Sequence, residues 1–210
     1  MLILDRRAFV TLSAAGALLF TPAAAFAQEA AVDTAELHAP GQLGEKVLGD
    51  ASAPVTIVEY ASMSCPHCAS FDTQTFDAFK AKYVDTGQVR YIFREFPLNA
   101  PAYAVAMLAR CAPADRFFDI IHAYFRSQNE WLTADNLKAA IFEKAKPFGF
   151  TEQSFDACLS NQSLFTGLEA VKERGLAFGV QATPTFFIDG RKLEGALTLE
   201  DLDKAIQPLL

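Results

Sequence analysis

The chain has 210 residues, of which 51% are hydrophobic and 20% are charged. This composition excludes a disordered chain and indicates one domain, or one domain with an insertion, around a sizeable core. The formal net charge of −7 argues against nucleic acid and against an anionic membrane surface as partners.

The first 27 residues have the pattern of a cleavable secretory signal. Arg6 and Arg7 supply positive charge, an apolar stretch of 13 residues runs over 8–20, and the small-x-small sequence 25–27 is typical of a signal-peptidase site. The apolar stretch is too short for a bilayer, which takes about 20 residues. We therefore expect export to the periplasm, and the adjacent arginines fit the Sec and the twin-arginine routes equally well.

Residues 28–45 are polar and Ala-rich, and we interpret them as a linker. The β-rich run 55–60 predicts a strand, 65–83 predicts a helix with Pro66 in its first turn, and 89–96 predicts a second strand. A β-α-β unit therefore begins the folded part of the chain.

The pattern is helical throughout from residue 100 to about 159. Within it, Thr133 and Thr151 are predicted to cap two of the helices. A long helix is expected over 163–178, because Gly179 stands where a helix C-cap belongs.

The end of the chain returns to β structure. Asp189-Gly190 between the runs 185–188 and 191–193 predicts a tight hairpin. Thr198, with the acidic Asp201 three residues later, predicts a capped final helix. The two β-containing ends could share one sheet, with the helical block inserted between them.

Cys65-Pro66-His67-Cys68 is the motif that carries chemistry. Disulfide exchange needs a reachable thiolate and a second thiol close enough to resolve the mixed disulfide. At a helix start, unpaired N–H groups and the helix dipole favour the thiolate of Cys65, while Cys68 lies one turn further in. Cys65 is the predicted nucleophile and Cys68 the resolving thiol. His67 could add positive charge or a hydrogen bond near Cys65, and Pro66 fixes φ without removing a needed donor.

Two other interpretations of the CxxC motif remain open at this point. A structural zinc site is disfavoured because the sequence has no second CxxC or Cys/His knuckle. A purely structural disulfide is disfavoured because closing so small a loop removes little chain entropy.

The sequence resembles the DsbA-type oxidoreductases, from about Val47 to the C-terminus. The motif Cys65-Pro66-His67-Cys68 is identical to that of the best-known family member, and Thr183-Pro184 before a strand matches the position of the family's cis-proline. The resemblance implies a cis bond there, which by local sequence alone would be an ordinary trans proline. It also implies the fold class, which is α/β, a thioredoxin-like fold with an inserted helical domain.

The resemblance sets the expected domain boundaries. Residues 1–27 would be the signal peptide and 28–45 the linker. Residues 46–98 and 164–210 would form a discontinuous thioredoxin-like domain around the inserted helical domain 99–163.

Cys111 and Cys158 resemble a second disulfide that some relatives carry in the helical domain; two buried free thiols are the alternative. In the entropic model a loop of this length would gain about 4 kcal/mol. Glu59 matches an acid that family members place below the second cysteine, where it could act as a base for Cys68. The alternative is an ion pair with Arg90 or Arg94.

His38 and His122 are interpreted as linker and helix-surface residues without a functional role. No cofactor is expected.

The resemblance implies oxidation of cysteine pairs in unfolded exported proteins by a monomeric enzyme, which a DsbB-like, quinone-linked membrane oxidase would reoxidise. A disulfide isomerase or reductase of the same fold is the alternative within the enzyme class. A metal-binding or chaperone-like binding module is the alternative outside it.

Overall fold

A computed structural model describes residues 32–210 of the chain. The predicted signal peptide and the first residues of the predicted linker lie outside this part. Within it, no helix is long and apolar enough to cross a membrane.

One five-stranded mixed sheet forms the centre of the fold, in the spatial order β1-β3-β2-β4-β5. The central strand β2 pairs in parallel with β3 and antiparallel with β4, while β1 and β5 are antiparallel edge strands. The strands are β1 Lys46–Leu48, β2 Val55–Ala61, β3 Val89–Glu95, β4 Thr185–Ile188 and β5 Arg191–Glu194.

Both faces of the sheet are buried. Successive side chains of a strand point to opposite faces, so Ile57 and Ala61 pack into the larger hydrophobic cluster and Val58 and Tyr60 into the smaller one. The larger cluster lies against the helix that follows β2 and against the helical block. Glu59 is two residues after Ile57 in the same strand, so its side chain points to the same face of the sheet, toward the larger cluster.

Ten α-helical segments surround the sheet within the described residues. They are α1 Thr34–His38, α2 Pro66–Phe71, α3 Asp77–Phe79, α4 Ala100–Cys111, α5 Phe117–Arg126, α6 Gln128–Leu132, α7 Leu137–Ala145, α8 Glu152–Leu159, α9 Gln162–Ala177 and α10 Leu199–Ile206. The π-helical stretches 72–76 and 80–84 join α2 and α3 into one helix over 66–84. Five of the segments, α4 to α8, fill the insertion between β3 and α9.

The segment interpreted as a linker is packed against the domain. Within it, α1 buries Leu37 completely, which by apolar area contributes about 2 kcal/mol. Arg94, Arg110 and Arg174 donate hydrogen bonds to backbone carbonyls of residues 36–44. His38, expected in a linker, ends α1. Residues 34–45 are therefore part of the folded unit, because buried contacts fix them in place.

The predicted caps are partly right. Thr151 caps α8 and Thr198 caps α10, each in a capping box. Thr133 is wrong as an N-cap, because it ends α6 and the side chain of Asn136 caps α7 instead. Asp189 and Gly190 both adopt positive φ, as a tight hairpin with two central residues of this kind requires.

A disulfide joins Cys111 to Cys158. It connects the last residue of α4 to α8 and so ties together two helices of the inserted block. The Cα atoms lie 6.1 Å apart, within the range that disulfides span.

Candidate active site at the start of helix α2

The chain places Cys65 and Cys68 at the point where β2 turns into α2. Cys65 is the N-cap residue and has extended backbone angles, and Pro66 occupies the first helical position, where the missing N–H is not needed. The Cys65 backbone N–H donates to the Ser62 carbonyl at 3.0 Å, which closes the turn after the strand. A buried strand therefore positions the first cysteine and the helix positions the second.

The two thiols have different environments. Cys68 is 1% exposed, and burial followed by hydrogen bonding to Cys65 raises its pKa well above the ordinary value. A hydrogen bond from the Cys68 thiol is the largest cause that lowers the pKa of Cys65 to about 5. At neutral pH Cys65 is therefore a thiolate and Cys68 a thiol.

The remaining interactions of Cys65 include a hydrogen bond from the backbone of His67. The Thr183 side chain and the backbone N–H groups of Cys68 and His67 also lower the pKa of Cys65, and burial acts in the opposite direction. The imidazole of His67 is exposed and is not among these causes. His67 acts on Cys65 through its backbone, because the helix start directs backbone N–H groups at the sulfur.

The Thr183-Pro184 bond is cis, as predicted, and faces the cysteines. The Cys65 sulfur lies 3.0 Å from the backbone carbonyl oxygen of Thr183, to which it donates a hydrogen bond when it is protonated. Thr185, two residues after Thr183, begins β4, which pairs with β2 directly before the CxxC loop. The sheet thus brings together two motifs that lie 118 residues apart in the chain.

Glu59 lies below the buried cysteine. Its side chain is 2% exposed and accepts a hydrogen bond from the Tyr91 hydroxyl. Burial raises the pKa of Glu59 to about 8, although the Tyr91 hydrogen bond lowers it. The charge of Glu59 in turn contributes to the raised pKa of Cys68, so the two groups are electrostatically adjacent.

The expected alternative for Glu59, an ion pair with a strand arginine, is wrong. Arg94 points to the other face of the sheet, where it bonds to Glu45 and the Tyr60 hydroxyl. Arg90 lies four residues before Arg94 in β3, so its side chain points to that other face as well.

Comparisons with known proteins place this site in a family. A family model described as Thioredoxin matches residues 42–208. The chain belongs to the thioredoxin family. The crystal structure of Wolbachia pipientis alpha-DsbA1 superposes with a TM-score of 0.76 at 30% sequence identity, covering 84% of this chain and 96% of that one. The chain is therefore a DsbA-like member, and the predicted thioredoxin-like fold with an inserted helical domain is confirmed.

Three further relatives support the placement. A Rickettsia typhi protein that carries the name of a protein-disulfide oxidoreductase is 27% identical over 79% of this chain. The chain spans only 62% of the length of that relative. Disulfide bond formation protein D of Bacillus subtilis is 25% identical over 80% of this chain and 78% of its own length. A crystal structure named as a protein-disulfide isomerase, from Novosphingobium aromaticivorans, is 26% identical with a TM-score of 0.68, covering 78% of this chain and 96% of that one.

Sequence reasoning missed a contact between the inserted domain and the thioredoxin-like active site. Gln128, buried at the start of α6, donates its side-chain amide to the carbonyls of Met63 at 2.8 Å and Cys65 at 3.0 Å. The inserted domain thus fixes the loop that carries the nucleophile. No local signal marks Gln128, because its partners lie more than 60 residues away.

His122 is not the helix-surface residue that was expected. Its Nδ1 is hydrogen-bonded to the carboxylate of Asp72, a residue buried in the helix that starts at the active site. The imidazole packs between the rings of Phe76 and Phe118. Across residues 32–210, no group of three or more His, Cys, Asp or Glu side chains is arranged to hold a metal ion.

Proposed function

We propose that this protein is an exported thiol:disulfide oxidoreductase that introduces disulfide bonds into unfolded exported proteins through Cys65 and Cys68. One observation carries the proposal, namely that a low-pKa cysteine and a high-pKa cysteine share the start of one helix. A thiolate that is stabilised in the reduced protein makes the disulfide form a stronger oxidant, by about 30 mV for each pKa unit.

The proposed reaction transfers two electrons from a pair of substrate thiols to the Cys65–Cys68 disulfide. A substrate thiolate attacks the Cys65 sulfur, the Cys65–Cys68 bond breaks, and Cys68 leaves and takes up a proton. A second substrate thiolate then attacks the substrate sulfur of the mixed disulfide. Cys65 departs as a thiolate, which its low pKa favours, and the substrate keeps the new disulfide.

The cis-proline segment is proposed to hold the substrate. The side chain of Thr183 is 8% exposed beside Cys65, and it also lowers the pKa of Cys65. An extended substrate segment could pair with the backbone of this loop as an additional strand. Pro66 and His67 are exposed next to Cys65 and would border the same surface.

The cellular setting is part of the proposal. We infer a periplasmic location from the signal-like residues 1–27, and reoxidation by a DsbB-like, quinone-linked membrane partner from the likeness to DsbA proteins. The proposal keeps the division into a thioredoxin-like domain, 46–98 with 164–210, and an inserted helical domain, 99–163.

The reduction potential of the Cys65–Cys68 pair against glutathione tests the direction of the reaction. We expect a value clearly more oxidising than about −270 mV, the potential of thioredoxin. The Cys65→Ala variant is the control and should not titrate. A pair no more oxidising than thioredoxin would contradict the oxidase function while leaving an exchange activity in place.

Trapping tests the assignment of the nucleophile. The Cys68→Ala variant keeps the Cys65 thiolate, which can attack a disulfide of an exported protein, but it lacks the Cys68 thiol that would release the resulting mixed disulfide, so mixed disulfides should accumulate. The matched Cys65→Ala variant should accumulate far fewer, because Cys68 is buried. Equal trapping by both variants would refute the assignment.

Disulfide isomerisation is the second candidate, favoured by the likeness to a structure named as a protein-disulfide isomerase. Isomerisation requires the reduced pair to attack disulfides that are already formed. The two functions separate in one assay on a test protein with mismatched disulfides. An isomerase restores the native pairing when supplied reduced, whereas an oxidase adds disulfides only when supplied oxidised.

A further inference from the structure

The buried position of Cys68 creates a demand for proton transfer. In every cycle Cys68 takes up one proton when the disulfide opens and loses one when it closes again. Its side chain is 1% exposed, so bulk water does not supply that proton directly. Glu59 is the adjacent acid, but at 2% exposure it too needs a route to solvent.

A small cavity is lined in part by Glu59. It leaves about 10 Å³ for the centre of a water molecule, which is room for one. Its polar lining consists of Glu59, Tyr91, Asp72 and His122, and the rest of its lining is aliphatic or aromatic. Such a cavity can hold one water between carboxyl groups while the aromatic rings exclude others.

Asp72 has an unused hydrogen-bonding atom at this cavity. The residue is 4% exposed, and its Oδ1 has no hydrogen-bond partner among the described residues. A buried carboxylate oxygen without a partner is costly, and a bound water would relieve that cost. The other oxygen, Oδ2, is hydrogen-bonded to Nδ1 of His122.

His122 leads from the cavity to the surface. Its side chain is 20% exposed, against 5% for that of Asp72. Phe76 holds one side of the ring at 4.6 Å between centroids, and Phe118 stacks at 6.2 Å. Because His122 belongs to α5 and Asp72 to the active-site helix, the path runs along the seam between the inserted domain and the thioredoxin-like domain.

We propose that Asp72 and His122 carry protons between Glu59 and solvent, through one water in the cavity, during each turnover of Cys68. The inference rests on the proposed exchange function. When Cys68 leaves as a thiolate, Glu59 gives it a proton, Asp72 passes one to Glu59 through the water, and His122 replaces it from solvent. Reoxidation reverses these transfers, so protons balance and no further redox partner enters this step.

The pKa values of the groups around the cavity agree with Glu59 as the group that passes protons to and from Cys68. Burial is the main reason that the pKa of Glu59 reaches about 8, and the charge of Asp72 raises it further. The charge of Cys65 also raises the pKa of Glu59, and the pKa values of the neighbouring Cys68 and Tyr91 are raised well above their ordinary values. Glu59 is therefore the group that exchanges a proton near neutral pH.

The test isolates the step in which Cys68 must lose its proton. The reduced protein is mixed with oxidised glutathione, which forms a mixed disulfide at Cys65. Samples are then quenched with acid at successive times, and mass spectrometry measures the conversion of this mixed disulfide to the Cys65–Cys68 disulfide. Variants His122→Asn and Asp72→Asn keep a hydrogen-bonding side chain but remove the proton carrier. We expect this step to slow about tenfold, below the 10²-fold or more that a directly acting acid or base contributes.

Two comparisons separate proton transfer from a structural effect. Asp77→Asn is the matched control, because Asp77 and Arg126 form an exposed ion pair between the same helix and α5. This variant should convert at the wild-type rate. His122→Ala should be slow and should regain most of its rate when free imidazole is added, whereas the equilibrium constant with glutathione should change by less than about twofold.

Three results would overturn the inference. They are wild-type rates in folded His122→Asn and Asp72→Asn, an equal loss in Asp77→Asn, and no rescue of His122→Ala by imidazole. If the wild-type protein forms no Cys65–Cys68 disulfide with oxidised glutathione, the proposed function fails and this inference fails with it.

Discussion

Replacing Glu59 by Gln is expected to stabilise the reduced protein. Burial raises the pKa of Glu59 from 4.5 to about 8, so at pH 7 the folded protein retains a proton that the unfolded chain has lost. Because pH 7 lies about 2.5 units above the ordinary value, this difference costs about 3 kcal/mol of folding free energy. Glutamine is neutral in both states and can still accept the hydrogen bond from Tyr91.

The pH dependence gives the sign of this effect. The folded-state pKa of Glu59 is raised, so the wild-type protein has no penalty below pH 4.5, loses stability between pH 4.5 and 8, and changes no further above that. The full loss is about 5 kcal/mol. The Glu59→Gln variant should lack this slope, so the two proteins should be nearly equally stable at pH 4 and differ most at pH 8.

Urea unfolding of both reduced proteins at pH 4, 7 and 8 measures the difference. Glu95→Gln is the matched control, since Glu95 is equally buried but accepts two hydrogen bonds from Arg110. That variant should lose stability, because it leaves a buried arginine unpaired, at a typical cost of about 3–5 kcal/mol. Equal stability of wild-type and Glu59→Gln proteins at pH 7 would refute a protonated Glu59.

Three other predictions concern the cysteines and the loop. The reduction potential of the Cys65–Cys68 pair should change by about −59 mV per pH unit below pH 5 and by about −30 mV per pH unit above it. The slope changes because above pH 5 reduction leaves Cys65 as a thiolate that takes up no proton. A single slope from pH 4 to 7 would contradict this. Replacing Cys111 and Cys158 by Ser should lower the free energy of unfolding by about 4 kcal/mol and spare the exchange rate; a folded but inactive variant would give this pair a part in turnover. Gln128→Ala should lower the free energy of unfolding by about 2 kcal/mol, because it removes two buried hydrogen bonds. It should also lower the exchange rate by displacing Cys65. An unchanged rate would show that Gln128 is not needed to position the Cys65 loop.

The parts of the site that the sequence predicts are those with local causes. A proline and two cysteines at a helix start are readable because neighbouring residues set their geometry, whereas the cis bond at Thr183-Pro184 was implied only by the resemblance to a known family. The capping residues Thr151 and Thr198 follow the same rule. The prediction for Thr133 failed because Asn136, a better N-cap residue than threonine, stands three residues later and caps the helix instead.

The parts that sequence reasoning missed depend on contacts between distant segments. β1 has only three residues and exists because β3 pairs with it. Residues 34–45 have no periodic pattern, and three distant arginines hold them. Gln128 and His122 form their hydrogen bonds where the inserted domain packs against the active-site loop and helix. No residue spacing in the sequence predicts these long-range contacts.

The two cysteines shift each other's pKa, and beyond this mutual effect a different part of the molecule acts on each of them. The thiolate of Cys65 depends on the helix start and the Thr183 loop, which set how oxidising the pair is. Burial and the charge of Glu59 also raise the pKa of Cys68, and the proton path that we propose beyond Glu59 would act on the rate at which the pair opens and closes. Changes at the helix start should therefore move the equilibrium between oxidase and isomerase behaviour, whereas changes at the domain seam should move the rate alone.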